Sequence, residues 1–475
     1  MKTYLAATLG ILIALSQISC THSRTTAEKD RPNIILVMAD DQGWGDAGYN
    51  GHPFVQTPAM DAMAKEGFVF DRFHAAAPVC SPTRASVLTG RHPIRTNVAN
   101  YGHYLRPQEQ TLAEILQSAG YKTGIFGKLH VGSAQPNTPC NPGGMGFDEW
   151  DIGLNFFDND PYLSRNGTVE HYEGKGSVVL MDEALAFIER YKDGPDPLFA
   201  VIWFPSPHYP HAEVPDGPKL YEGKKHAGYF REITLLDEQL GRLRSELRQL
   251  GVAKNTILWY CSDNGGLLAE SSGGRAKKGS IYEGGLRVPS IVEWPGQQLT
   301  GRSALPSSTN DLMPTLLSMA GVDARLRHPL DGIDISPSFD GSMVQRSKPM
   351  GFWHDFKDGD LTRSDQILKA IMEKQKAGVP RPHDPPRLLK DVNEFPDYPE
   401  EFSPGHAAWL DWPWKLHRIE GTTYELYNLE SDPGEQTDLS DEEALQQHLE
   451  DMQQKLLNWQ KSVVMSLNGE DYNSY

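Results

Sequence analysis

The chain has 475 residues, 39% of them hydrophobic and 23% charged, enough apolar material for a large core and for two domains, which excludes a disordered or fibrous protein. Its 45 Lys plus Arg face 63 Asp plus Glu, a formal net charge of −18, which argues against a nucleic-acid partner. An anionic ligand would therefore need a local cationic pocket.

Met1-Lys2, an apolar run over 4–15 and a small, polar close at Ser19-Cys20 have the layout of a secretory signal peptide over residues 1–20. Export to the periplasm or cell surface follows, and no later stretch is long and apolar enough to span a bilayer. Cys20 stands where a bacterial lipoprotein is cleaved and acylated, but Gln17 occupies a place where such sites usually carry Leu. A lipid anchor at Cys20 and plain cleavage both remain open. With Cys20 removed or acylated, Cys80, Cys140 and Cys261 are left, an odd number that makes no complete disulfide framework.

Residues 33–38 (Asn-Ile-Ile-Leu-Val-Met) form a continuous apolar run, as in a strand buried on both faces of a parallel sheet, and lead into Asp40-Asp41-Gln42-Gly43. Similar runs over 122–126, 198–204 and 256–261 lead into Lys128 and His130, into His208, and into Asp263-Asn264. Between them, Thr111-x-x-Glu114 is a capping box opening a helix that Gly120 stops. Tyr229, Ile233, Leu236, Leu240, Leu243, Leu247 and Leu250 trace the apolar face of a longer helix. The alternation predicts an α/β fold: a large, mixed, mostly parallel sheet flanked by helices, with ligands at the carboxyl ends of its strands. After about residue 345 the texture changes. A Pro- and charge-rich stretch over 376–404 reads as a long loop near the ligand cleft, short runs near 414–427 as antiparallel strands, and 441–462 as a closing helix. The expected division is a catalytic domain over 31–345 and a smaller α+β domain over 346–475.

In Cys80-Ser81-Pro82-Thr83-Arg84, Pro82 suits the first turn of a helix that Ser81 could cap, which puts Cys80 at a helix amino terminus with Arg84 about one turn on. That setting predicts a lowered thiol pKa. Asp40, Asp41, Asp263 and Asn264 offer only hard oxygen donors, which suits Ca²⁺ or Mg²⁺ and not zinc.

Cys-x-Pro-x-Arg followed by Ala85-Ser86-Val87-Leu88-Thr89-Gly90-Arg91 resembles the motif of the type I, formylglycine-dependent sulfatases of the alkaline phosphatase superfamily. The resemblance runs from Arg31 to the carboxyl terminus in the family's order. It takes in Asp40-Asp41-Gln42-Gly43, the string from Gly127 to Gly132, Ser262-Asp263-Asn264-Gly265, and the string from Lys278 to Pro289. Residues 424–435 are similar to the carboxyl-terminal domain of arylsulfatases and related glycan sulfatases.

The resemblance implies conversion of Cys80 to formylglycine by a maturation enzyme, and one Ca²⁺ held by Asp40, Asp41, Asp263, Asn264 and the modified position 80. One hydroxyl of the aldehyde hydrate would attack sulfur, the alcohol would depart, and the second hydroxyl would lose its proton and expel sulfate. His130 matches the base, Lys128 and Arg84 the groups that stabilise oxyanions, and His208 and Lys278 those that hold sulfate and assist the leaving alcohol. Lys277 and His211 are neighbouring alternatives to the last two. An exported enzyme of this kind, with long loops over 137–144 and 356–404, points to a sulfated carbohydrate. A phosphonate monoester or phosphodiester hydrolase of the same superfamily and a non-catalytic binder of sulfated glycans are the alternatives. A zinc phosphatase would need histidines beside Asp40 or Asp263, and those motifs have none.

Overall fold

The computed structural model describes residues 31–211, 219–354, 357–381 and 383–472; the expected signal peptide and Cys20 lie outside the described residues. A ten-stranded sheet organises the chain. Asn33–Ala39 lies at its middle, parallel to Thr256–Ser262 on one side and to Leu198–Trp203 on the other. Lys122–Lys128 and Glu149–Gly153 continue the parallel order. The hairpin Tyr162–Arg165 and Thr168–His171 closes that edge. On the other side Ser290–Glu293 runs antiparallel between Thr256–Ser262 and Phe68–Phe70, and Gly301–Ser303 forms the edge.

The continuous apolar runs are explained by two cores, one on each face. Ile34, Leu36 and Met38 point into a cluster with Val87 and Leu88 of the Cys80–Thr89 helix and Leu112, Ile115 and Leu116 of Leu112–Ser118. Ile35, Val37 and Ala39 point the other way, against Leu180, Ala184 and Ile188 of Gly176–Tyr191 and Leu236, Leu240 and Leu243 of Ala227–Gln249. A strand with period-2 side chains and a helix layer on each face must be apolar at every position. The capping box forms as expected: Thr111 Oγ1 accepts from Glu114 N at 3.1 Å, and Glu114 Oε2 accepts from Thr111 N at 2.8 Å.

A second, antiparallel sheet of four strands, Met350–His354, His406–Asp411, Trp414–Ile419 and Thr423–Asn428, follows in chain order. Ile281 and Leu286 pack against its Met350, Phe352, Leu410 and Tyr427. Lys415 is buried there, 2.8 Å from Glu283 Oε1 and 3.0 Å from Glu435 Oε1, so the segment that carries Lys278 is clamped by an ion-pair network.

Two expectations change. The stretch over 376–404 is not one long loop: it takes in the end of Ser364–Ala377 and the helix Pro386–Asn393, whose Leu388 and Val392 are buried with Tyr104 and Cys140. Pro385-Pro386 presets the helix entry, and the i,i+4 pair Leu388/Val392 supplies an apolar stripe. The closing helix is Gln446–Leu467, later than expected, because Val463, Val464 and Leu467 are core residues and hold the last turn. No helix among the described residues is long and apolar enough to cross a membrane.

Candidate active site

The polar residues that follow the central strands converge at one end of the sheet, because the parallel strands beside Asn33–Ala39 all end there. The backbone ladder continues past the strands: Asp263 N donates to Ala39 O at 3.1 Å, and Asp40 N to Ser206 O at 2.9 Å. Asp41 N then donates to Asp263 Oδ1 at 3.1 Å, and Asp41 turns the chain away with φ 75°, a left-handed conformation that Asp tolerates better than most residues. Gly127 has φ 103°, and a Cβ there would lie 2.0 Å from Trp203 O. Only glycine lets this strand end bring Lys128 inward.

Lys128 Nζ donates to Asp40 Oδ2 at 2.6 Å, and both side chains are fully buried. Arg84 donates to Asp263 Oδ2 from Nε at 3.1 Å and from Nη2 at 2.7 Å, and to Lys128 O from Nη1 at 2.7 Å. Its guanidinium also lies 3.8 Å from Asp40 Oδ1 and over the Trp203 ring. Lys278 Nζ is 2.7 Å from the Asp41 carboxylate, and His208 Nε2 is 3.7 Å from Asp41 Oδ2. His208 and Lys278 thus face the carboxylates, while the alternative His211 bonds Pro207 O at 3.0 Å.

Three carboxylates, of Asp40, Asp41 and Asp263, meet three fixed cations, of Arg84, Lys128 and Lys278. Burial opposes ionising Asp40, but Lys128, His208, Arg84 and Lys278 outweigh it and hold that carboxyl far below the usual range. Burial and the neighbouring Asp40 push Asp263 up, against the pull of Arg84 and Lys128.

Cys80 is buried with them. The helix begins at Cys80 itself, with Val79 as N-cap and no side-chain cap. Ser81, expected as the cap, instead donates to His130 O at 2.6 Å and accepts from Gly102 N at 2.8 Å, which fastens the helix to the neighbouring loops. The expected depression of the thiol pKa is also overturned: burial raises it, and Lys128 and Lys278 recover only part. His130, at φ 57°, has both ring nitrogens buried and without a hydrogen-bond partner among the described residues. Burial, Lys128 and Arg84 hold its pKa well below the usual value, so the ring is neutral.

Two buried oxygens beside this set have no hydrogen-bond partner among the described residues: Asp40 Oδ1 and Asn264 Oδ1, the latter left over when Asn264 Nδ2 donates to Asp41 Oδ1 at 2.8 Å. Ligand atoms of Asp40, Cys80 and Asp263 lie within 4.8 Å of one another, as do those of Asp40, Asp41 and His208. Unpartnered buried acceptors among carboxylates fit a hard divalent cation. Such an ion would give the charge-balanced cluster a net positive charge, suited to an anionic ester.

Sequence reasoning overlooked three supports. Trp203 underlies Arg84, Ser81 ties the Cys80 helix to His130, and Phe156 stacks on His208 with centroids 5.4 Å apart. Trp203 and Phe156 sit next to strand ends, but nothing in their spacing sets them apart from core aromatics.

Residues 32–322 match the family model described as Sulfatase. The N-acetylgalactosamine-6-sulfatase of Canis lupus familiaris is 33% identical over 389 residues, covering 73% of this chain and 71% of that protein. The ulvan-active sulfatase of Formosa agariphila is 28% identical over 365 residues, 71% of each. The crystal structure of Ps i-CgsB in complex with k-i-k-neocarrahexaose superposes with a TM-score of 0.74 at 23% identity, covering 94% of this chain and 100% of that one, a likeness of fold. With this match over the segment that carries the clustered carboxylates, cations and Cys80, the chain belongs to the sulfatase family of the alkaline phosphatase superfamily and is a sulfuric ester hydrolase.

Proposed function

We propose that this sulfatase releases inorganic sulfate from a sulfated carbohydrate, with formylglycine at position 80 and one Ca²⁺ held by Asp40, Asp41, Asp263, Asn264 and the position-80 side chain. The observation that carries this reading is the pair of unpartnered buried oxygens, Asp40 Oδ1 and Asn264 Oδ1, within a carboxylate cluster that includes Cys80. The carbohydrate reading is supported by relatives named for N-acetylgalactosamine-6-sulfate and ulvan chemistry.

A calcium ion at these oxygens would supply a Lewis acid for a sulfate oxygen. Hydrated formylglycine at position 80 would supply a nucleophilic oxygen and a second hydroxyl, chemistry that would spare the enzyme an attack by water on a hindered anionic sulfur. The remaining work falls to side chains. His130, neutral and without a ring partner among the described residues, would take the proton of that second hydroxyl. Lys128 and Lys278 set positive charge beside the equatorial oxygens, and Arg84, held by Asp263 and Lys128 O, adds a fixed positive field. His208, partly exposed at the rim, assists the departing alcohol.

In this reading residues 1–20 direct export to the periplasm or cell surface, Cys20 is a candidate lipid anchor, and a formylglycine-generating enzyme is an obligatory partner. The same reading divides the chain into a catalytic domain over 31–345 and a smaller one over 346–475.

The deciding experiment is the mass of the peptide spanning Cys80, together with the calcium content, in protein purified from its own host. An aldehyde or its hydrate and one calcium per chain are expected, followed by sulfate release from sulfated glycans and not from phosphonate monoesters. An intact thiol in active protein would overturn the mechanism.

A further inference from the structure

A cavity of about 550 Å³ is lined in part by Trp44 and Gly45, in the turn that follows Asp41. Trp44, Phe54 and Phe230 line it together with Lys224, Lys225 and His226. It is built on the same backbone as the catalytic cluster. Trp44 lies three positions beyond Asp41, and Phe230 follows Tyr229, whose hydroxyl donates to Asp41 O at 2.9 Å.

The aromatic wall is rigid and formed in advance. Phe54 meets Phe230 edge to face with centroids 4.9 Å apart, and His52 meets Phe54 the same way at 4.7 Å. The Arg287 guanidinium lies 3.9 Å from the Trp44 ring centroid, and Gly273 leaves room for that ring, since a Cβ there would come within 2.9 Å of Trp44 Cβ. The cationic wall is placed over the aromatic one: Lys224 Nζ stands 4.6 Å from the Phe54 centroid. His226 begins the Ala227–Gln249 helix and no side chain caps it, so the helix dipole adds to the positive side. Among the described residues, the lining sets one acidic residue, Glu270, against Lys224 and Lys225. In a chain of net charge −18 such a local excess of positive charge selects for an anion.

The partly exposed rings of Trp44 and Phe54, with the Lys224 ammonium at the Phe54 ring, fit a sugar unit bearing sulfate or carboxylate. We infer that this cavity is a distal subsite for a second anionic sugar unit of the substrate chain, so that the enzyme engages an oligomer or polymer and not only the unit it desulfates. This rests on the reading that the substrate is a sulfated carbohydrate, and it adds where a neighbouring unit binds.

Dextran sulfate, with uncharged dextran as control, probes the cavity by affinity electrophoresis at low salt, while turnover of 4-nitrocatechol sulfate reports separately on the catalytic site. Wild type is expected to be retarded by dextran sulfate alone. The Lys224→Ala/Lys225→Ala variant should bind it about tenfold more weakly, and Phe54→Ala about fivefold, with aryl sulfate turnover within about twofold of wild type. Lys254→Ala, an exposed lysine outside the cavity lining, should bind as wild type. Undiminished binding by the double lysine variant, or an equal loss in Lys254→Ala, would overturn the subsite. Absence of aryl sulfate turnover in wild type would count against the catalytic reading and leave the dextran sulfate comparison to decide the cavity.

Discussion

Lys128 and Asp40 form an ion pair with no solvent exposure on either side chain, Nζ 2.6 Å from Oδ2, between strand ends that are not neighbours in the sheet. Two ions taken fully out of water are tolerable only while paired. In Lys128→Met the Asp40 carboxylate loses its nearest counter-ion, and the metal-free protein should lose about 3–5 kcal/mol of stability. A divalent cation in the cluster would replace the missing charge. Urea unfolding in EGTA and in calcium should therefore show a large deficit in the first and a smaller one in the second; equal deficits would mean that no cation reaches Asp40.

Calcium removal should act on stability as well as on turnover. A ligand that binds the native state alone at about 100 times its Kd stabilises by about 2.7 kcal/mol. Thermal unfolding should shift upward with calcium concentration, and Asp263→Asn or Asn264→Ala should blunt the shift. A melting temperature indifferent to calcium and EGTA would remove the ion from the site.

Cys80→Ala should abolish turnover and keep the circular dichroism spectrum of wild type. The small side chain fits within the helix, and only the reacting group is lost.

Replacing His130 by Ala should reduce kcat by about 10² to 10⁴ with little change in KM, the usual range for loss of a general base. Because both ring nitrogens are unpartnered, the native fold has no hydrogen bond to lose with it. A loss confined to KM would assign the ring to binding.

A contribution to acid sensitivity is expected from His92, a buried ring outside the carboxylate cluster. Burial lowers the His92 pKa to about 3, and both its ring nitrogens lack partners. The unfolded chain takes up a proton near pH 6.5 that the native state refuses, so stability falls as pH drops below about 6.5, by at most roughly 1.4 kcal/mol per unit, and levels off near the folded pKa. The ring meets Trp459 edge to face at 4.9 Å, a contact that Phe can keep. The fall in melting temperature between pH 6.5 and 5 should be smaller in His92→Phe than in wild type.

The sheet was legible because its central strands are buried on both faces, so continuous apolar runs ending in Asp40, Lys128 and Asp263 could hardly be anything else. The clustering of those residues follows from parallel strands ending together. Less legible was whatever depends on tertiary packing. The Leu388/Val392 helix lay hidden in a Pro-rich stretch, and Val463, Val464 and Leu467 drew the last helix past its expected end. Burial raised the Cys80 thiol pKa where the helix terminus alone would have lowered it. A string of residues fixes which groups meet at a strand end, but the water excluded around them is a property of the assembled cores.

All ten residues of the Cys80–Thr89 helix are buried, and Cys80 is only 3% exposed. An enzyme that oxidises a thiol needs its substrate segment in an extended, reachable form, and the folded chain offers none. If Cys80 is converted as proposed, the burial of its helix places that conversion in the nascent or unfolded chain, ahead of the packing of Val87 and Leu88 under the sheet. On that reading a molecule that folds unmodified could not be repaired without unfolding, and the active fraction of a preparation would record the outcome of an early race between oxidation and folding.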